Sequence, residues 1–373
     1  MPTTHRRVIL QVMRVRSAQR VAEDVRRACR VAGGPVAVER AVVGPLRAAV
    51  PFDAWCVLTV DPATVMTTGG FHEEGLPAEH LGHLAEIEAR GSDALALADL
   101  ARGRGNAATL NGATGGRPER SERYRDILVP SGLAYEMRLL FRSGRAVWGA
   151  MVAFRGSDVA DFSPAEIALA GQATTGVADI MRREMVLAEI THRPMPDGPG
   201  LVLVSGDLER VSCTEAAEQL LAEIDDGLDP RSGLPFSVVV LARRVLASGP
   251  VRSRLRTRRG RWLTLHADRT ADQASIIVEP TRPVEVAAIV ADAYGLTRRE
   301  RTVVRLLACG HSRHEIARGL AVSPHTVDDH IKHVYAKLGA RSRAELTYRL
   351  FFDQYVPRIQ DQVPLGRTGW FLD

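Results

Sequence analysis

The stretch from Leu296 to Leu350 limits the possible folds of this chain more than any other part, because it carries its own helix start signals. Thr297, Ser312 and Ser342 are each followed three residues later by a glutamate. This spacing is typical of a capping box, in which the hydroxyl and the carboxylate each accept a hydrogen bond from a backbone N–H group that the first turn leaves free. We therefore expect a short helix to begin after each of these three residues.

A further helix is predicted between the last two boxes, where Ser323 is suited to the N-cap and Pro324 to the first helical position. Gly339 is placed to end this helix. Only three residues separate it from the preceding helix at 312–319, and such a tight connection is typical of a helix-turn-helix. The segment therefore predicts an all-α module of four helices.

The helix predicted over 323–338 has two faces of opposite character. One face carries the apolar residues Val327, Ile331, Val334 and Leu338. The other carries His325, Asp329, Lys332 and Ala336, with Asp328 and His333 beside them. A compact polar face suits a helix that enters the major groove, although a solvated helical bundle would show the same pattern.

The net charge separates these two interpretations. From Tyr294 to Arg349 the chain has eleven Lys and Arg against five Asp and Glu, a net charge of +6, whereas the whole chain has +5. The basic excess therefore lies in this segment, as expected for a partner that carries phosphates. The sequence predicts double-stranded DNA as the partner.

The same segment resembles the C-terminal DNA-binding domain of LuxR/FixJ-type bacterial transcription regulators. The residues that carry the resemblance are Leu296-Thr297, Glu300, Leu306-Leu307-Ala308, Gly310, Glu315-Ile316-Ala317, Leu320, Ser323, Thr326-Val327, His330, Lys337-Leu338-Gly339 and Arg343. Together with the helix faces, the resemblance implies DNA contacts from His325, Thr326, Asp328, Asp329, Lys332, His333, Lys337 and Arg341. It also implies that the last helix of the module serves dimerisation.

Within this set we expect Lys332 and Asp329 to contact base edges. The predicted phosphate contacts are Thr326, Lys337 and Arg341. Asp328 departs from the family, which commonly has a basic residue at this position. Because a carboxylate at a base edge accepts a hydrogen bond from cytosine N4, the target sequence is expected to differ from the family's usual one.

The N-terminal residues 1–35 are predicted to form a helix or an arm. Small apolar residues recur there at spacings of three and four: Val8, Val12, Val15, Ala18, Ala22, Val25 and Cys29. We expect this stripe to pack on the next domain or on a second copy of the chain, and a loose arm is the alternative.

Residues 36–190 are predicted to form a GAF-like sensor domain. Strands are expected over 54–60, 65–67, 136–142 and 146–154, helices over 38–49, 77–100 and 163–190, and a loop over 102–117. This order resembles a GAF-type domain, which implies an apolar pocket for an unidentified small-molecule effector. It is expected to be walled by some of Trp55, Phe71, Tyr124, Met137, Phe141 and Trp148, and the alternative is that these residues fill a core.

Residues 198–283 follow a linker rich in Pro and Gly and resemble a PAS-like domain. Strands are expected over 201–204, 211–213, 251–257, 261–266 and 274–278, with a helix over 214–223. Arg252, Arg254, Arg256 and Arg258 share one face of their strand because they alternate. That face is expected either to meet solvent or to bind an acidic partner or a nucleic acid.

Several function classes lack their required residues. We find no Walker loop, no Gly-x-Ser-x-Gly elbow and no His-Glu-x-x-His helix, so neither a catalytic site nor a cofactor is predicted. His80 and His83 show no third metal ligand in the sequence, so no metal site is predicted. A phosphorylated receiver domain needs a lysine, and residues 1–283 contain none.

Location follows from composition. The four cysteines are widely spaced and no apolar run reaches the length of a membrane helix, so we predict a cytoplasmic chain with reduced thiols and no membrane contact.

The predicted fold is a multidomain α+β chain. GAF-like and PAS-like antiparallel-sheet sensor domains precede the LuxR-type helix-turn-helix module at 290–355, and a tail follows at 356–373. We interpret it as a one-component DNA-binding transcriptional regulator whose sensor domains modulate the helix-turn-helix. The alternative is a ligand-free scaffold whose GAF-like and PAS-like domains bind a protein partner. A homodimer is expected, through the 8–30 stripe or the helix from Ser342 to Phe351.

Overall fold

The computed structural model describes residues 18–350, except 63, 70, 71, 145, 188–195, 197, 225, 259, 260, 282–293 and 348. The chain divides into two compact units, one formed by residues 1–189 with 198–280 and the other by residues 190–197 with 281–373. The first unit holds two antiparallel sheets with helices, and the second holds the C-terminal helices. This confirms the predicted α+β multidomain fold class. In the part of the chain that the structure describes, no helix has the length and apolarity needed to cross a membrane.

The first sheet is antiparallel and has the strand order β2-β1-β5-β4-β3. Its strands are β1 (Ala54–Thr59), β2 (His72–Glu74), β3 (Ala107–Thr109), β4 (Leu133–Ser143) and β5 (Ala146–Gly156). All six residues of β1 are buried, and this inner strand lies between β2 and β5. Its nearly continuous apolar sequence matches that position. The predicted hairpin of β4 and β5 is confirmed.

Seven helices of the described chain accompany this sheet. They are α1 (18–31), α2 (Pro35–Ala49), α3 (Leu81–Arg90), α4 (Leu97–Arg102), α5 (Leu110–Thr114), α6 (Pro164–Ala173) and α7 (Val177–Leu187). Helix α2 packs against β1 and α7, and α7 packs against β4 and β5. On α1, the predicted stripe is confirmed for Ala18, Ala22, Val25 and Cys29, which are all buried within the chain. Val8, Val12 and Val15 lie outside the described residues.

The second sheet repeats the strand order of the first, as β7-β6-β10-β9-β8, and is also antiparallel. Its strands are β6 (Gly200–Val204), β7 (Arg210–Cys213), β8 (Val251–Arg256), β9 (Trp262–Thr270) and β10 (Gln273–Pro280). Helix α8 (Glu215–Leu221) packs on β6 and β10, and α9 (Phe236–Ser248) packs on β8, β9 and β10. The five predicted strands are confirmed, whereas α9 was not predicted.

The two sheets are joined within their unit by helix packing and by ion pairs. Helix α3 packs against α9. Arg254 on β8 donates to both carboxylate oxygens of Asp61, with Nε 3.2 Å from Oδ2 and Nη2 3.1 Å from Oδ1. Both side chains are largely buried. The alternating arginine row was expected to face solvent or a partner, and at Arg254 it instead binds the segment that follows β1.

Four other expectations for the first unit were wrong. The helix predicted over 163–190 is two helices, α6 and α7, because the chain breaks at Gly176, where φ is +90°. The helix predicted over 77–100 is two helices, because the chain breaks at Gly91, where φ is +62°. The loop predicted over 102–117 contains β3 and α5. No strand forms over 65–67, where the described chain has one isolated bridge, between Val60 and Thr67.

The second unit contains α10 (Arg298–Ala308), α11 (Arg313–Leu320), α12 (Pro324–Leu338) and α13 (Arg343–Thr347). Helix α12 packs against α10 and α11. The four predicted helices are therefore confirmed. The tail at 356–373 lies outside the described residues.

Candidate nucleic-acid interface

Side-chain caps fix where the helices of the second unit begin. Thr297 and Glu300 form a reciprocal capping box, and so do Ser312 and Glu315. The Ser323 hydroxyl accepts from the Thr326 backbone amide at 3.1 Å. The third predicted box is only half formed. The Ser342 hydroxyl accepts from the Glu345 amide, but the Glu345 carboxylate accepts from the amide of the preceding residue, Arg341, at 2.9 Å.

A sharp turn joins α11 to α12. Ala321 occupies the left-handed region, with φ 52° and ψ 45°. The amide of Val322 donates to the carbonyl of Ala317 at 3.0 Å, which closes the turn. Left-handed backbone is costly for a residue with a Cβ atom, by about 1–2 kcal/mol. The short connection that defines the helix-turn-helix is therefore held at some cost in backbone energy.

Helix α12 buries one face and presents the other to solvent. Val327, Val334 and Leu338 are buried, as predicted, and Ile331 is half-buried. On the opposite face His325, Lys332, His333 and Ala336 are exposed, and Thr326, Asp328 and Asp329 are partly exposed. The structure thus brings six of the eight predicted DNA contacts together on one helix face and its N-terminal end.

Several of these polar groups interact with one another. His325 Nε2 lies 3.8 Å from Asp329 Oδ2, so a protonated His325 would form an ion pair with it. Arg313 on α11 donates to Asp328 Oδ2 at 3.5 Å. This cation partly neutralises the carboxylate that departs from the family pattern. The repulsion that Asp328 exerts on a nearby phosphate is reduced accordingly.

Lys337, a predicted phosphate contact, forms an ion pair within the domain. Its ammonium group donates to Glu300 Oε1 at 2.9 Å and Oε2 at 2.7 Å, and to the Gly295 carbonyl at 3.1 Å. All three acceptors lie at the start of α10, so the end of α12 is tied to that point. Three donors and three acceptors satisfy the ammonium group within the protein. These bonds give Lys337 a structural role, and its contact with DNA stays a prediction.

The ion pair with Lys337 also affects the ionisation of the Glu300 carboxyl. Burial acts to raise the pKa of this carboxyl, but the hydrogen bonds from Lys337 and from Thr297 outweigh it, so the pKa lies below its usual value. Glu300 consequently stays ionised near neutral pH. Arg341, the last predicted contact, is exposed just beyond α12.

The residues predicted to wall a sensor pocket have a different arrangement from the one expected. Trp55, Met137, Phe141 and Trp148 are buried, Tyr124 is half-buried, and Phe71 lies outside the described residues. A cavity of about 270 Å³ does exist in the first unit, but none of these side chains lines it. Its wall includes Cys56, whose thiol pKa burial raises to about 12. A protonated thiol is a poor nucleophile, which weighs against redox chemistry at this residue.

His83 lies beside two possible metal ligands, Glu122 and Asp126, that are distant from it in sequence. Its Nε2 lies 3.8 Å from Glu122 Oε1 and 3.5 Å from Asp126 Oδ2. Glu122 also accepts a hydrogen bond from Arg90, which competes for that carboxylate. All three side chains are at least partly exposed, and such groups are common without a metal. No signal in the sequence connects His83 with residues some forty positions away.

Comparison with known proteins supports the assignment of the second unit. Residues 295–350 match the family described as bacterial regulatory proteins, luxR family. An HTH-type transcriptional regulator of Mycobacterium bovis is 57% identical over 51 residues, which are 14% of this chain and 6% of that protein. An HTH-type transcriptional regulator of Aeromonas salmonicida is 38% identical over 92 residues, 25% of this chain and 45% of that protein. The chain thus spans less than half of the length of these relatives.

Solved structures show weaker similarity to the chain. The GAF domain/HD domain protein from Geobacter sulfurreducens covers 42% of this chain with 97% of its own length, at 18% identity and a TM-score of 0.30. The Vibrio cholerae VqmA dimer, a LuxR-type receptor, covers 43% of this chain with 83% of its own length, at 18% identity and a TM-score of 0.19.

The caps, the tight turn and the sequence match together identify residues 295–350 as a helix-turn-helix domain of the luxR family of bacterial regulatory proteins.

Proposed function

We propose that this chain is a DNA-binding transcriptional regulator in which α12 reads the major groove of double-stranded DNA. The observation that carries the proposal is the coincidence of the luxR-family match with the helix pair α11 and α12. The exposed face of α12 is polar and narrow, as a helix in the major groove requires. The basic excess of the segment supplies the attraction to phosphates.

The roles of individual side chains follow from their exposure. Lys332 is exposed in the middle of the helix, where it reaches guanine O6 or N7. Asp329, one turn before, accepts from cytosine N4. Arg341 lies beyond the helix end and approaches a phosphate, and Thr326 does so at the N-terminal end. His325, Asp328 and His333 border this surface.

We further propose that the first unit senses a small-molecule effector and modulates DNA binding. The cavity of about 270 Å³ supports sensing over the ligand-free scaffold, since a scaffold needs no internal cavity. A regulator of this size reads few base pairs with one helix, so two copies on two half-sites are part of the proposal.

The test uses the purified full chain and duplexes selected by it from a randomised pool. Selection should yield a consensus, and affinity for that duplex should exceed affinity for a scrambled one by about a thousandfold or more. Lys332→Ala should cost about 1–3 kcal/mol on the consensus and relax its preference at one base pair. Arg305→Ala removes the same charge from an exposed position on α10 and serves as the matched control.

The control should weaken binding to both duplexes by similar factors, because it changes only the general electrostatic attraction. Failure of the selection to enrich any sequence would refute sequence-specific DNA reading. Equal effects of the two substitutions on both duplexes would remove Lys332 from the base-reading surface.

A further inference from the structure

The cavity in the first unit lies between the first sheet and helix α9, which packs on the second sheet. Most of its wall is apolar and comes from Leu58, Leu84, Leu97, Val152, Phe154, Phe236 and Val240. Its volume of about 270 Å³ is close to the lower limit of roughly 300 Å³ for small-molecule sites. The space therefore fits a compact organic molecule with an apolar body.

The wall also contains a guanidinium group with an unused donor. Arg138 on β4 is 2% exposed. Its Nε donates to Glu136 and its Nη2 donates to Glu88. Its Nη1 is shielded from solvent, and no acceptor within the described residues takes its hydrogens. Buried donors of charged groups nearly always have a partner, so this atom points to an acceptor that the protein itself does not supply.

Other charged groups at the cavity indicate which acceptor fits. The wall includes three guanidinium groups, those of Arg123, Arg138 and Arg244, and one carboxylate, that of Glu88. Each nitrogen of Arg123 has an acceptor, with bonds from Nε to Glu136, from Nη1 to Asp93 and Glu88, and from Nη2 to the Ala94 carbonyl. Arg244 has one donor on the Ala89 carbonyl. Glu136 and Asp93, which are not part of the wall, balance the other two guanidinium charges, so the unused donor of Arg138 selects the acceptor, and a carboxylate matches the planar guanidinium.

We propose that this cavity binds a small carboxylic acid with an apolar body, whose carboxylate accepts a hydrogen bond from Arg138 Nη1. The apolar part of the molecule would lie between Phe154 of the first sheet and Phe236 and Val240 of α9. Such a ligand would contact the first sheet and also helix α9, which packs on the second sheet. The inference deepens the sensing half of the proposed function, because it names the chemical class of the effector.

Water is the other occupant that the test must distinguish. A water molecule takes about 30 Å³ in the liquid, so several would fit, and one of them could satisfy Nη1. Water would leave the apolar wall without favourable contacts. If the cavity holds only water, a charged and an uncharged probe of the same shape should bind with equally low affinity.

The experiment titrates the purified full chain, without DNA, with phenylacetate and with hexanoate, and compares each acid with its amide. Binding is measured by isothermal titration calorimetry. At least one acid should bind saturably and about tenfold more tightly than its amide, since a hydrogen bond between two charged groups is the stronger one. Arg138→Lys keeps the charge but not the planar fork, and it should reduce this preference for the acid.

A second pair of variants tests the place of binding. Ala98 and Ala101 are half-buried alanines of the same helix, α4, and Ala98 is part of the cavity wall. Ala98→Phe should fill the cavity and abolish binding of the acid. Ala101→Phe adds the same ring to α4 outside the wall and should leave binding unchanged, and circular dichroism confirms that both variants are folded.

Absence of saturable binding by both acids, or equal binding of acid and amide, would overturn the proposal. Binding that survives in Ala98→Phe would overturn the location. Because no DNA is present, these outcomes leave the DNA-reading half of the proposed function intact. A chain that binds phenylacetate but selects no DNA sequence would refute that half alone.

Discussion

The ammonium group of Lys337, at the end of α12, lies 2.7 Å from Oε2 of Glu300 in the first turn of α10. Glu300 also completes the capping box of α10 through its bond from the Thr297 amide at 2.6 Å. One carboxylate therefore begins one helix and holds the end of another. This arrangement gives Lys337 a role in the stability of the helix-turn-helix domain.

We predict that Lys337→Ala lowers the free energy of unfolding of the C-terminal domain by about 1–3 kcal/mol, because it leaves a buried carboxylate without its charged donor. The folded-state pKa of Glu300 is lowered, so its stabilising effect is present above the unfolded-state pKa and is lost as the pH falls through the folded-state pKa. In Lys337→Ala, the loss of stability on going from pH 7 to pH 3 should be smaller than in the unsubstituted chain. Urea unfolding between pH 3 and pH 7 measures both effects, and Lys332→Ala, an exposed lysine of the same helix, is the control.

A second prediction concerns Glu39 on α2. Both of its carboxylate oxygens are buried and have no hydrogen-bond partner in the described part of the chain. Burial raises its pKa well above the ordinary 4.5. The folded state therefore binds this proton more tightly than the unfolded state, and stability is full below the unfolded-state pKa and falls as the pH rises towards the folded-state pKa.

Glu39→Gln should remove this loss, which amounts to about 1.4 kcal/mol per pH unit at most, and should make the protein more stable near pH 8. Thermal unfolding of both proteins between pH 5 and pH 8 provides the comparison. The exposed Glu209→Gln is the control, for which no change in slope is expected. An unchanged slope in Glu39→Gln would show that Glu39 has a partner.

A third prediction concerns the pair formed by Asp61 and Arg254. A double-mutant cycle with alanine at each position should give a coupling energy above 1 kcal/mol, about the upper limit for exposed pairs, because both side chains are largely buried. Arg210 and Glu218 form a comparable but exposed pair in the same unit, 3.3 Å apart. That pair should give about 0.2–1 kcal/mol. Similar coupling energies for the two cycles would mean that the Asp61 pair does not join the sheets energetically.

The fourth prediction is the homodimer, which was expected to form through the 8–30 stripe or the helix from Ser342 to Phe351. In the described part of α1, Ala18, Ala22, Val25 and Cys29 are buried within the chain. Leu346 and Leu350 are buried as well, and Phe351 lies outside the described residues. These side chains are already covered, so they cannot form an interface without rearrangement.

We still expect two copies on DNA, since one recognition helix contacts few base pairs. Analytical ultracentrifugation of the full chain with a duplex that holds two half-sites should give a complex of two chains. A duplex with one half-site should bind one chain with weaker affinity. One chain on both duplexes at saturation would contradict the prediction.

Local signals were the most reliable guide from sequence to structure. The residues that cap α10, α11 and α12 lie within three positions of the groups they bind, so spacing alone identifies them. The strands β4 and β5 were equally clear because a turn signal separates two apolar runs. By contrast, the predicted loop over 102–117 is rich in Gly and Arg, and its short strand β3 forms only because β4 lies beside it.

Contacts between distant residues could not be predicted in this way. The bond from Lys337 to Glu300 spans 37 positions, and the bond from Arg254 to Asp61 spans 193. The cavity was missed for the same reason, since its wall is drawn from both sheets of the unit. The large aromatic residues chosen for it fill the core instead. Only the charged residues on β4, Glu136 and Arg138, were a sequence signal that this strand meets more than apolar neighbours.

The strand order shared by the two sheets has a consequence for how the chain folds. In each sheet the first strand pairs with the last, as in the pairing of Thr59 with Gly149 and of Val202 with Ile276. A ribosome must therefore release almost a whole domain before either sheet can close, whereas the short-range contacts of α10 to α12 form within one small segment. Folding rates fall as contacting residues become more distant along the chain. The helix-turn-helix, although made after both sheets, should be the part that folds fastest.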